Sequence, residues 1–418
     1  MAESKRVVIV GAGIVGLSTA YYSALKGHEV TVLEREGQDS KGCSYGNAGM
    51  IVPSHFVPLA APGMVSLGLR MMLNPESPFW FRPRLNRELF SWAWKFMRSA
   101  NAANVTRAAP ILRDLHLASR TCYEELAALP GADLGLVKKG LLMLCETESA
   151  MRHETELSRM ASELGLPGEV LSADETAKLE PGIRMNVAGA VYYPQDCHMV
   201  PDKVMSSLAG AAESAGVKIE RNSNVSRFLT SNGRIDVAAT DRGEFPADEF
   251  VIAGGSWSPE LLRQLGLRLP VLPGKGYSLT LANPRQIPEI CGILVEGRVA
   301  LTPMNGALRF AGTMELGAND LTRNPRRIRG IVRSVCRAFP DFTEEDFSEV
   351  EPWCGLRPCS PDGLPYVGRF RRYPNLSAAT GHAMMGLSLG PITGKIMAAV
   401  LSNENPPIPI DALSPDRF

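Results

Sequence analysis

Four clusters of residues in this 418-residue chain have types and spacing suited to chemistry. The first is Gly11-Ala12-Gly13-Ile14-Val15-Gly16, followed eighteen residues later by Glu34. Glycines at these intervals make a tight turn, let backbone approach a pyrophosphate and let a helix pack closely on a strand. Backbone N–H groups and the helix dipole then hold phosphates, and Glu34 can accept a hydrogen bond from a ribose 2′-hydroxyl. A carboxylate there repels the 2′-phosphate of NADP but leaves NAD and FAD open. The second cluster, Ala253-Gly254-Gly255-Ser256-Trp257-Ser258, is a bare turn whose glycines let main chain lie against a cofactor. In the third, Gly355-Leu356-Arg357-Pro358, the Arg357 guanidinium is a planar fork that matches a carboxylate bidentately. The fourth runs from Gly381 and His382 through Met384, Gly386, Leu387 and Ser388 to Pro391 and feeds a helix. Free N–H donors and a positive dipole end there stabilise negative charge as it develops. Two further side chains are candidates. Tyr277 can donate a phenolic hydrogen bond to a carboxylate or sit in a core, and His382 can be a base or a packed, capping histidine.

These clusters need a particular scaffold. Residues 6–34 read as a βαβ unit, and the Gly-rich loop from Ser40 leads into a proline-punctuated segment ending near Gly63. Loops of that length tend to be functional. Residues 84–128 read as helices interrupted near Pro110, 139–146 as a strand and 148–164 as a helix. A strand at 190–193, a helix from Pro201 to about Ser214 and a strand at 217–220 follow. A polar meander (225–247) leads into the buried strand that ends in the Ala253 turn. Residues 276–316 alternate like antiparallel sheet, with turns at Asn283-Pro284 and Asn305-Gly306; a helix at 325–338 precedes the last block, 353–402. The interleaving predicts an α/β fold in two discontinuous domains: a dinucleotide-binding domain from 1–60, 190–260 and 350–418, and a substrate domain from 61–189 and 261–349.

Composition narrows the function. The 44 basic and 44 acidic side chains cancel, so no electrostatic footprint for nucleic acid is visible. The fingerprint begins beside Met1, leaving no room for a signal peptide, and no stretch approaches the roughly 18 apolar residues of a bilayer span. The eight cysteines lack C-x-x-C pairs or His-rich neighbours, which predicts reduced thiols, no metal site and a cytoplasmic setting.

In order along nearly the whole chain, five elements resemble the D-amino-acid oxidase-like family of FAD enzymes, the glycine oxidase and D-amino-acid dehydrogenase group. They are the Gly11–Gly16 motif with Glu34, Tyr45-Gly46-Asn47-Ala48-Gly49, and the Ala253 turn with Gly274-Lys275-Gly276-Tyr277-Ser278-Leu279. Gly355-Leu356-Arg357-Pro358 running on to Pro361-Asp362-Gly363, and Gly381-His382 with Gly386 and Gly390, complete the set. The resemblance implies a glutathione-reductase-like Rossmann domain that binds FAD, interleaved with an α+β substrate domain on an antiparallel sheet. It assigns Gly11, Gly13, Ile14, Val15, Gly16, Glu34 and Arg35 to the cofactor's nucleotide end, with Val225, Gly254, Gly255 and Trp257. Asn47, Ala48, Gly49, Gly355, Gly381, Gly386, Leu387 and Ser388 fall toward the flavin. It makes Arg357 the carboxylate anchor, with Tyr277 and His382 as further catalytic candidates. Lys275 would lie over the flavin as in sarcosine oxidase-like relatives. Where those relatives attach FAD through cysteine this chain has Gly355, with Cys354 adjacent, so non-covalent FAD is expected. Glycine oxidase carries an arginine at the position of Met384; its loss implies a more apolar pocket and a substrate other than glycine.

The implied reaction is oxidation of a free amino acid of D configuration: Arg357 holds the carboxylate, hydride leaves Cα for flavin N5, and the imino acid hydrolyses to a 2-oxo acid. No side-chain base is required once the amine is neutral, and electrons pass to a quinone-type acceptor. A dehydrogenase of D-proline or hydroxy-D-proline, an oxidase using O2, and a flavin-bearing subunit of a hetero-oligomer are the rival readings. Residues 79–98 hold three of the five tryptophans and five positive charges. That mixture suits either a helix packed on the substrate domain or peripheral contact with the inner face of the cell membrane.

Overall fold

A computed structural model describes residues 3–38, 42–72, 74–82 and 86–418. Two sheets organise them. In the first, strand Arg6–Val10 lies between Glu29–Leu33 and Glu249–Ile252, all parallel, with Lys218–Glu220 and Leu376–Thr380 outside them. Tyr366–Arg369 closes one edge antiparallel. The three central strands are β-branched and apolar because both faces are covered. Helix Ile14–Leu25 is buried over most of its length. It packs so tightly on helix Gly386–Leu401 that a Cβ at Gly394 would lie 2.4 Å from the Ser18 carbonyl carbon. The other face is covered by the antiparallel strands Val225–Ser231, Arg234–Thr240 and Gly243–Pro246, whose Phe228 and Ile235 join Phe250 in one cluster.

The second sheet runs in the order Trp353–Cys359, Leu272–Leu281, Ala307–Leu316, Val299–Met304, Cys291–Leu294, Leu141–Cys145, Gly189–Tyr193 and Glu169–Ser172. Its pairs are antiparallel except Cys291–Leu294 with Leu141–Cys145, and Phe79–Phe81 beside Ala307–Leu316. Asn305 and Gly306, both at positive φ, form the two-residue hairpin turn their types call for.

Sheet membership redraws the domain boundaries. The strand Gly189–Tyr193 pairs with Leu141–Cys145, and Trp353–Cys359 pairs with Leu272–Leu281, so both belong to the substrate sheet rather than the nucleotide domain. Helix Ala102–Ala127 goes the other way: Leu112, Leu115 and Tyr123 share a core with Ile392 and Ile396. Helical breaks also move. Pro110 sits inside that helix, and the interruption falls earlier, where the Asn101 side chain caps a new start by accepting from Asn104 N–H. Helix Gly386–Leu401 begins ahead of Pro391, not after it. The carbonyl that Pro391 cannot serve, Leu387 O, accepts Tyr123 Oη–H at 2.6 Å instead. Residues Ala383–Leu401 are also long and apolar enough for a bilayer span, contrary to expectation, although most of that stretch is buried in the core.

Candidate active site

One cavity of about 1280 Å³ runs from the Gly11 turn to Arg357 and beyond. This exceeds the usual few hundred to 1,000 Å³ of a small-ligand site, as a dinucleotide plus a substrate requires. At its nucleotide end the wall is main chain. Gly11 is at φ +109°, and a Cβ there would lie 2.7 Å from Ala253 O; a Cβ at Gly16 would lie 1.9 Å from Gly11 O. These are the close approaches the motif exists to permit. Glu34 accepts Ala12 N–H at 2.7 Å and Glu36 N–H at 3.0 Å, and its oxygens keep lone pairs for ribose hydroxyls. Arg35 stacks 3.9 Å over the Trp257 ring, and Val225, Gly254 and Gly255 line the wall beside them. Ser44, a residue the motifs do not flag, ties the adjoining loop to the helix start by accepting Ile14 N–H at 3.0 Å.

The middle of the cavity is framed by two loops. Asn47 turns its own loop by accepting Gly49 N–H at 2.9 Å. Arg309 Nη1 holds that loop from below, donating to Tyr45 O and Asn47 O, both at 2.8 Å. Asn47 and Ala48 line the cavity, as do Gly355, Gly386, Leu387 and Ser388. Gly16, Gly49 and Gly381 do not; they stand one layer behind. Gly49 and Gly381 adopt φ of +78° and +82° and press on Met199 O and Tyr366. Because the helix begins at Gly386, residues 386–388 are its first turn and offer the unpaired N–H donors expected of the loop.

Arg357 lies at the far end. Its Nη1 donates to Thr313 O at 2.6 Å, and the guanidinium covers Gly276, where a Cβ would lie 1.9 Å from Nη1. Burial lowers its pKa, and among the described residues no carboxylate pairs with it. Arginine stays protonated in proteins, so this is a desolvated cation lacking a counter-ion. Thr313 is at φ +67°, in a β-bulge where Thr313 and Met314 together face Gly276. Such strain in a non-glycine residue costs of order 1–3 kcal/mol and clusters at functional sites; here it aims a carbonyl at Arg357.

The structure removes Tyr277 and Lys275 from the site. Glycines 274 and 276 face the Arg357 side, so the alternation of the strand sends 275 and 277 to the other face. Tyr277 is fully buried and its hydroxyl binds the Glu315 carboxylate, while Lys275 pairs with Asp320 at 3.0 Å. His382 does line the cavity, but burial lowers its pKa to about 3. Its Nε2 lies 2.9 Å from Thr393 Oγ1, whose proton goes to Leu389 O, so Nε2 carries the ring proton. It is a neutral, packed histidine. Cys43 and Cys354 line the cavity as thiols whose pKa values burial pushes up to about 11.

The stretch 79–98 divides between the two readings offered for it; Pro83 and Arg84 lie outside the described residues. On helix Arg87–Ser99, Leu89 and Trp92 face inward, Trp92 donating to Cys359 O at 2.9 Å. Phe90, Trp94 and Met97, at i, i+4 and i+7, are at least half exposed.

The family model for FAD dependent oxidoreductases matches residues 6–400. The chain is 32% identical to the D-amino acid dehydrogenases of Bradyrhizobium diazoefficiens and Vibrio atlanticus, over 426 and 421 residues and 99% of both chains in each case. It superposes on the glycine oxidase of Geobacillus kaustophilus with a TM-score of 0.79 at 25% identity, covering 99% of this chain and 100% of that one. The bare glycine cradle, the Glu34 carboxylate and the first turn at Gly386 all fit FAD, and this chain belongs to the DAO family of FAD-dependent oxidoreductases.

Proposed function

We propose that this FAD-dependent amino acid dehydrogenase acts on free D-amino acids and passes their electrons to a quinone-type acceptor. The observation that carries this reading is Arg357: a partly buried, permanently charged fork at the cavity wall, with no carboxylate partner among the described residues, pre-aimed by Thr313 O. A substrate carboxylate completes the pair. The similarity to D-amino acid dehydrogenases supports the D configuration.

Bound FAD, held non-covalently, supplies the two-electron acceptor for hydride leaving Cα. The chain does the rest by orientation and preorganised electrostatics. Arg357 fixes the carboxylate, and the first turn at Gly386–Ser388 presents N–H donors where negative charge develops. Apolar side chains, among them Phe79, Met143, Leu157 and Ile293, line much of the rest of the cavity.

The Phe90, Trp94 and Met97 stripe supports peripheral attachment to the inner face of the cell membrane, with Arg87, Lys95 and Arg98 on the same helix. Helix Met64–Met71 also presents an exposed apolar residue, Leu69, 64% exposed, while Met64 and Leu67 line the cavity.

The test is a dye-reduction screen of purified holoenzyme over D- and L-amino acids, including D-proline and hydroxy-D-proline, with and without oxygen. Reduction of dye or a short-chain quinone by D-amino acids without peroxide is expected. Preference for L-amino acids, or peroxide at the rate of turnover, refutes the corresponding half of the proposal.

A further inference from the structure

The segment after the Asn47 loop brings a second set of polar groups to the cavity. Ser54 and His55 line it, and neither belongs to a motif. Ser54 Oγ donates to the Asp196 carboxylate, which also accepts Ser54 N–H at 3.1 Å. His55 Nδ1 lies 3.1 Å from the same Ser54 oxygen. A serine hydroxyl has one proton. Since that proton goes to Asp196, the oxygen must accept from His55, which puts the ring proton on Nδ1. The lone pair of His55 Nε2 is left free, and Nε2 has no partner among the described residues.

The segment is anchored beside the reaction centre at both ends. Val52 N–H donates at 3.2 Å to Ser388 Oγ, in the first turn of the Gly386 helix, and Pro58 packs on Gly363, just beyond the Arg357 strand. Arg357, Ser388 and His55 all line the same cavity.

We propose that His55, Ser54 and Asp196 form a proton relay that takes the ammonium proton of the bound amino acid before its oxidation. The substrate N–H bond breaks and the proton joins His55 Nε2. The Nδ1 proton passes to Ser54 Oγ, and the Ser54 hydroxyl proton passes to the Asp196 carboxylate, which ends as the acid. The amine is left neutral, with the lone pair that departure of hydride requires, and no electrons move in the relay. This rests on the reading that Arg357 holds the substrate carboxylate in this chamber.

The electrostatic setting agrees. Burial pushes the Asp196 carboxyl, 1% exposed, up to about 7, near an ordinary operating pH. Burial lowers His55 to about 4, so the imidazole is neutral and able to accept. The titratable groups facing the relay are His116 beside His55, and Arg120, Tyr193, Cys197 and Cys291 around Asp196. Burial holds His116 neutral and pushes the thiols and the phenol up, leaving Arg120 as the only charge among them. His116 is committed elsewhere, with Nδ1 on Ser388 Oγ at 2.8 Å and Nε2 on Met385 S at 3.2 Å.

The experiment is the pH profile of kcat/KM for holoenzyme with His55→Gln and Ser54→Ala. At pH 7, His55→Gln should lose about 100-fold and Ser54→Ala about tenfold. Both losses should shrink to within about threefold above the pKa of the substrate amine, where solution supplies the neutral form. Losses that stay constant with pH, or wild-type values at pH 7, overturn the relay. Ser54→Ala keeps the test alive if His55→Gln fails to fold. A 2-oxo acid, which has the carboxylate but no amine, serves as binding probe through the flavin absorbance. Both variants should bind it as the wild type does, and loss of binding in either assigns these residues to binding and overturns the relay. Unchanged probe binding in Arg357→Ala would instead sink the carboxylate reading, leaving the pH profiles to judge the relay.

Discussion

At the Gly11 end of the cavity the wall is largely backbone, shaped by glycines from short segments, with the Glu34 carboxylate accepting from the turn. At the Arg357 end side chains take over: the Arg357 guanidinium, braced by the strained Thr313 main-chain carbonyl, and two neutral histidines, His55 and His382, with neutral His116 packed on Ser388. The first end recognises what every bound cofactor molecule has in common. The second stores unsatisfied electrostatics for a substrate that comes and goes. Tolerance to substitution should differ accordingly: the first fails by steric exclusion, the second by lost charge or lost proton transfer.

The sharpest contrast comes from deleting the fork. Arg357→Ala removes about two charge-assisted hydrogen bonds, about 3–4 kcal/mol, so kcat/KM should fall roughly 10²- to 10³-fold, mainly through KM. The flavin absorbance should stay at wild-type occupancy. At the other end Gly11→Ala should do the reverse. A Cβ at φ +109° and 2.7 Å from Ala253 O adds a clash to a left-handed penalty of about 1–2 kcal/mol. The protein should purify without FAD.

Acid should expose the histidines. Burial lowers the pKa of His55 and His198 to about 4 and of His116 and His382 to about 3. Each takes up a proton on unfolding below about pH 6.5, so each costs stability as pH falls toward its folded value. Asp196 and Glu154, raised to about 7, work the opposite way, binding protons in the folded state and losing stability as pH rises from about 4 to 7. Four against two leaves about two protons, or about 2.7 kcal/mol per pH unit near pH 5. Urea midpoints measured from pH 6.5 down to 4.5 should fall steadily; a flat profile contradicts the burial of these rings. The smallest effect belongs to Tyr277. Tyr277→Phe should leave KM unchanged while costing about 1–3 kcal/mol of stability, because it strands the buried Glu315.

The contrast also explains what could be read in advance. The nucleotide end is local in sequence, so the spacing of Gly11, Gly13, Gly16 and Glu34 carries its geometry. Arg357 was legible because one arginine in a glycine-bounded strand suffices to suggest a fork. For Tyr277 the core alternative holds, and Lys275 points away from the cavity, because strand parity decides both: glycines at 274 and 276 mark the site face and exclude their odd-numbered neighbours. Arg309, Ser44 and the Ser54, His55 and Asp196 set were invisible, since their partners come from 29 to 264 residues away or lie outside any motif. Helix starts failed where side chains replaced expected breaks, at Asn101 and at the Tyr123 contact to Leu387 O.

The central claim is that Arg357 makes this cavity a site for amino acids rather than for amines. Anaerobic titration of holoenzyme with a D-amino acid and with the matching amine lacking the carboxylate, followed at the flavin band, tests it most directly. Bleaching by the amino acid at low concentration, lost in Arg357→Ala, with no bleaching by the amine in either protein, is the predicted result. Equal reduction of wild-type enzyme by the amine, or undiminished reduction of Arg357→Ala by the amino acid, would contradict it.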